Sequence, residues 1–139
     1  MSNCRPRSVV IVVVFFGIAI SGIYWRRSTI DTATQFMKSG DGAGVVKTLA
    51  PLSLIGDPTA QEFTGLSYAL EWRGLQYNEE IAITLIMKSS RFLNGREHKE
   101  YIIGYFDFIA DSYKNGSNGA RKDMNRYARW LNLRDKYNS

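Results

Sequence analysis

The residues of this chain that could do chemistry are few and scattered. Asp107 and Asp111, four apart, would share one face of a helix, where paired carboxylates can serve acid–base catalysis or hold a cation. No nucleophile or electrophilic partner accompanies them, and a solvated pair is the simpler reading. His98 is the only histidine and lies in the charged run Arg96-Glu97-His98-Lys99-Glu100, which is expected to be exposed. Cys4 is the only cysteine and is separated from His98 by a long apolar stretch. One of each assembles neither a Cys–His nucleophile pair nor a histidine-rich metal site. The run Gly40 to Thr48, GDGAGVVKT, has glycines ahead of a Lys-Thr pair, as a phosphate-binding loop does. Val46 stands where that motif needs glycine, however, and a turn between helices accounts for the glycines. No catalytic residue, cofactor site or metal site is therefore expected, and the chain is read as a non-enzyme without a small-molecule substrate.

What remains is recognition chemistry, in large aromatic and arginine side chains that dominate interface energetics. Trp72, Arg73, Tyr77, Arg126 and Arg129 are the candidate partner-binding residues, with Trp72 expected to be exposed at a helix end. The elements that must position them are helices. Gly56-Asp57-Pro58 is a helix-start signal, with Asp57 capping and Pro58 in the first turn. A helix is expected from about Pro58 to Trp72, its apolar side formed by Ala60, Phe63, Leu66, Ala69 and Leu70. Gly65 offers a place where another backbone can approach closely. Gly74 supplies the positive φ that follows a helix end, and Asn78 caps a second helix with Ile81, Ala82, Leu85 and Ile86 on its apolar side.

This capped hairpin at residues 56–91 resembles the Sel1-like repeat, a relative of the tetratricopeptide repeat. Ala60, Gln61, Gly65, Leu66, Tyr68, Gly74, Ala82 and Lys88 match the motif, while Asn78, Leu85 and Ser89-Ser90 replace its Asp, Trp and Ala-Ala. A shift of 45 residues lays Ser67, Tyr68 and Gly74 on Ser112, Tyr113 and Gly119, with Asn78 on Asp123 and Leu85 on Trp130. Fixed-period similarity of this kind marks stacked units, each needing a neighbour to bury its apolar face. The offset exceeds the family's usual length, and the extra residues are expected in a longer second helix or in the link Phe92-Leu93-Asn94-Gly95. Residues 92–139 are thus read as a divergent second repeat with a C-terminal helix, and residues 28–55 as a short helical region, with a degenerate repeat as the alternative.

Residues 8–25 carry no charge, and as a helix they would span about 27 Å, close to a bilayer's hydrocarbon thickness. Tyr24-Trp25-Arg26-Arg27 looks like an interfacial belt with a charged stop. Residues 1–27 are read as a membrane anchor, the alternative being a cleaved signal peptide at Ala19-Ile20-Ser21. The short basic head favours a cytoplasmic N-terminus, a single pass through a bacterial inner membrane and repeats facing the periplasm. Arg27 to Thr34 is the expected tether. The net charge of +5 concentrates in Arg121, Lys122, Arg126, Arg129, Arg134 and Lys136. A solvated outer face on a capping helix, with Trp130 and Tyr127 turned inward, is the simplest reading; an acidic partner or anionic lipid headgroups come next, and nucleic acid, which an anchor disfavours, last.

The expected fold is all-α: a transmembrane helix followed by antiparallel helix pairs stacked as a short α/α superhelix. The expected function is that of a membrane-anchored protein-interaction module of the cell envelope. The resemblance implies a narrower role, an immunity protein or inhibitor binding a secreted antibacterial effector, with an envelope adaptor or a small hydrolase as alternatives.

Overall fold

The computed structural model describes the backbone of residues 6–139 and the side chains from residue 17 onward. The chain is all-α. The described residues form six helices, α1 (Pro6–Lys38), α2 (Gly42–Leu54), α3 (Pro58–Ala69), α4 (Glu79–Ser89), α5 (Gly95–Asn115) and α6 (Met124–Asn138). Every helix after the first begins on an Asp or Asn side chain. Asp41, Asp57, Asn78, Asn94 and Asp123 accept from first-turn amides of α2 to α6 in turn, so donors left open by helix geometry are satisfied.

Short connections make sequence neighbours pack in pairs, α1 with α2, α3 with α4 and α5 with α6, and α2 also packs on α3. The first helices of the pairs run parallel, side by side. Arg26 of α1 pairs with Asp57 at the start of α3. At their other ends Arg73 N–H donates to the Gly40 carbonyl (3.1 Å) and Ala43 N–H to the Arg73 carbonyl (3.1 Å). Between α3 and α5, Tyr101 and Tyr105 donate to Glu62, and the Tyr113 hydroxyl donates to the Ala69 carbonyl.

The α3–α4 turn is reproduced between α5 and α6. Trp72 N–H donates to the Ser67 carbonyl (3.1 Å) and Leu75 N–H to the Trp72 carbonyl (3.0 Å); Ser117 and Ala120 make the same bonds to Ser112 and Ser117 (both 3.0 Å). Ser67 and Ser112, both fully buried, return their hydroxyls to Phe63 and Phe108 one turn back. Gly74 and Gly119 hold φ of 85° and 80°, the left-handed conformation that glycine adopts without strain. Gly65 lies at the α3–α4 crossing, where a Cβ would come within 3.2 Å of the Ala82 carbonyl and of Leu85. In the second pair Trp130 fills the equivalent space, fully buried and edge-to-face with Phe106, the ring centroids 5.4 Å apart.

Three expectations need correction. α3 ends at Ala69 and not Trp72, because Glu71 turns to φ 52° and breaks the helical ladder. The expected tether Arg27 to Thr34 is continuous helix, with Thr29 and Thr32 bonded to carbonyls four residues back and Ala33 fully buried. The extra length of the second unit lies in α5, which begins about two turns ahead of the position matching Pro58. Of the expected anchor, residues 8–25, residues 8–16 lie outside the residues with described side chains. Among the described residues no helix is long and apolar enough to cross a membrane.

Candidate partner-binding surfaces

Four of the five residues expected to meet a partner are engaged within the chain. Trp72 is only 6% exposed, which corrects the exposed anchor expected there. Its indole N–H donates to the Asn118 carbonyl (2.7 Å). A Cβ on Gly42 would lie 2.8 Å from Trp72, and one on Gly119 would lie 2.6 Å from the indole nitrogen. Trp72 is therefore held between the first and third helix pairs, its Cβ against Gly42 and its indole ring against Gly119.

Arg126 and Arg129 tie α6 to the turn of the preceding pair. The Arg126 guanidinium lies 3.7 Å over the Tyr77 ring and donates to Glu71 (2.8 Å) and to the Tyr113 hydroxyl (3.1 Å). Arg129 grips Glu79 through Nε and Nη2 (3.0 and 2.6 Å), and the Tyr77 hydroxyl donates to the same carboxylate (3.2 Å). The Arg129 hydrogen bond holds Glu79 below the usual carboxylate range against partial burial. Burial, reinforced by the Glu79 charge, pushes the Tyr77 hydroxyl upward. Arg73 alone stays open: its side chain is 73% exposed, and Asp41 lies 3.8 Å away. It lines a polar hollow of about 580 Å³ with Glu71, Trp72, Gly119 and Arg121.

The residues with catalytic potential do not assemble. Asp107 accepts from Arg134 (2.8 Å), while Asp111 is exposed. His98 is half-buried, not exposed as its charged neighbours suggested, with Nδ1 2.9 Å from the Ser90 hydroxyl and 3.1 Å from its carbonyl. Ser90 is 1% exposed and its hydroxyl bonds the Met87 carbonyl (3.1 Å). This Ser–His contact joins the start of α5 to the end of α4. Gly42 to Lys47 forms the first turns of α2. Among the described residues no group of His, Cys, Asp or Glu is placed to hold a metal ion, and Cys4 lies outside them.

The open apolar surface lies elsewhere. Leu66 of α3 and Phe108 of α5 line two adjoining hollows, of about 320 and 310 Å³. Glu100, Tyr101, Gly104 and Tyr105 complete the first; Thr34, Met37 and Lys38 of α1, with Trp72 and Asn118, complete the second. Together they form one groove along α1, α3 and α5. Phe108 is 41% exposed in it, and a Cβ on Gly104 would meet nothing within 4 Å. At its edge Glu62 accepts from both Tyr101 and Tyr105, whose hydroxyls are pushed upward by burial with Glu62 adding to it.

No family model, curated protein or solved structure matches the chain. The groove was missed in the sequence although a signal was present. Tyr101, Gly104, Tyr105 and Phe108 recur at helical spacing beside a separate stripe, Ile102, Phe106, Ile109, Ala110 and Tyr113, that fills the core. One helix with two apolar stripes has one more than a single core requires.

Proposed function

We propose that the protein is a membrane-anchored protein-interaction module of a cell envelope, holding a partner protein in the groove along α1, α3 and α5. The observation that supports it most is the half-exposed Phe108 in an apolar groove bounded by three parallel helices. Stacked helix pairs keep their cores between layers, so the residues facing such a groove are free to serve recognition. Phe108, Tyr101 and Tyr105 are rigid aromatic types suited to anchor a partner, and Arg73 on the neighbouring polar hollow adds an exposed cation beside Asp41. In this reading the stack is a short Sel1-like superhelix, and residues 8–25 span the inner membrane once with the repeats in the periplasm. The narrower role is that of an immunity protein against a secreted antibacterial effector. It is supported by the repeat motif and by the anchored, single-module architecture, which would equally serve an adaptor in an envelope complex.

The test is site-specific photocrosslinking of the full chain in cells. A photoreactive residue at Phe108 or Gly104 should give a discrete adduct with one protein. The same residue at Lys47, exposed on α2, should give none, and Gly104→Arg should abolish the adduct at Phe108 by filling the groove. Equal adducts from Lys47 and Phe108, or none from Phe108 and Gly104, would overturn the groove as the binding surface.

A further inference from the structure

Beside the groove, one end of the helix stack exposes apolar side chains that no internal contact explains. Leu54 and Ile55, closing α2, are 88% and 72% exposed, and Phe92 and Leu93, between α4 and α5, are 72% and 40% exposed. The opposite end is closed differently, with Leu70, Trp72 and Ala120 buried in its turns.

These two loops share one level, and it is the level at which α1 leaves its apolar run. Arg26, directly after Trp25, pairs with Asp57 and donates to Thr59 (3.2 Å). Asp57 lies three residues beyond Leu54, and Arg91 donates to the Gly56 carbonyl (3.3 Å), which draws the second loop against the first. Because α1 continues unbroken from residue 6 into the buried Ala33, no flexible joint lets this end swing away from whatever the apolar run enters.

We infer that this end is a membrane-docking surface, with Leu54, Ile55, Phe92 and Leu93 resting among the headgroups of the anionic bilayer that residues 8–25 enter. The inference rests on the anchor reading given above. Apolar side chains at the depth of Tyr24 and Trp25 lose their exposed surface to the interface, as such aromatic belts do. The charge is complementary. The Arg91 guanidinium sits 4.6 Å over the Phe92 ring, so the ring can enter the interface while the cation stays level with lipid phosphates. Arg27 and Lys88 are exposed close by in sequence to Arg26 and Arg91.

Depth-dependent quenching tests it on the full chain carrying Cys4→Ser, in vesicles of phosphatidylethanolamine and phosphatidylglycerol. Three single-cysteine variants, Ile18→Cys, Leu93→Cys and Ser39→Cys, carry a bimane label. Ser39, just past the end of α1, is the far-end control, about 20 Å along the helix direction from Arg26. The label at 93 should lose most of its emission to a headgroup-borne quencher, that at 18 to an acyl-chain quencher, and that at 39 should stay bright. Adding Ile55→Asp and Phe92→Asp should restore most of the emission at 93 and leave 18 quenched. A quenched 18 with 93 as bright as 39 overturns the docking surface while the anchor stands. A bright 18 removes the anchor, and the docking surface with it. Quenching at 93 that ignores the two aspartates also overturns it, since the label and not the protein would then be inserting.

Discussion

The α3/α4 and α5/α6 pairs share one turn and differ in what fills the space between their helices. Both turns use the same backbone bonds, the same buried serine and the same left-handed glycine, and both second helices start on an Asx cap. Between the helices the first pair brings backbones close at Gly65, while the second places Ala110 and the fully buried Trp130 at the matching positions. A repeat is thus conserved within this chain where backbone geometry must be met and free where only volume must be filled, because turns have few solutions and cores have many.

The sharpest way to break this comparison is to empty both spaces. Trp130→Ala should cost about 3–5 kcal/mol in a urea titration, and Leu85→Ala, at the matching but half-buried position, less than about 2 kcal/mol. Equal losses would mean that the two pairs are packed alike after all.

Filling the narrow crossing comes next. Gly65→Leu puts side-chain atoms against the Ala82 carbonyl and should cost about 1–3 kcal/mol by overpacking. An unchanged denaturation midpoint would remove the close approach from the argument.

The link between the two pairs is weaker than either core. Arg126→Ala gives up the stack on Tyr77 and the bonds to Glu71 and the Tyr113 hydroxyl, and should cost about 1–2 kcal/mol. It should also separate the melting of the two pairs in hydrogen exchange, with α6 opening first. Fully cooperative opening of the variant would show that the core alone couples them.

The smallest effect is acid-dependent. Glu79, held by Arg129 below its ordinary value of 4.5, binds its proton less readily folded than unfolded. Its contribution to stability is therefore complete above that unfolded value and is lost as pH falls through the lower folded one. Midpoints measured from neutral pH down through the carboxylate range should show a shallower acid limb for Glu79→Gln than for the wild type. Parallel limbs would mean that the Arg129 contact does not persist in solution.

What the amino-acid sequence determined by itself is most of what depends on a partner three or four residues away. Asp57, Asn78 and Asp123 cap the helices that their spacing announces, Gly74 sits in left-handed backbone, and the apolar period marks Ala60, Leu66, Ala82 and Ile86 as core. Such features depend on contacts three or four residues apart, and local geometry supplies them whatever the rest of the chain does. The tertiary structure decided the fate of side chains whose partners lie far along the chain. Trp72 read as a free anchor until Asn118 and Gly42 were found closing on it, and Arg126 and Arg129 read as a basic face until Glu71 and Glu79 were found beneath them. His98 likewise turned inward to Ser90 despite its charged neighbours. Phe108 went the other way, an apolar residue on a core-forming helix that faces an open groove, because which stripe of α5 is covered depends on where α3 and α1 lie beside it.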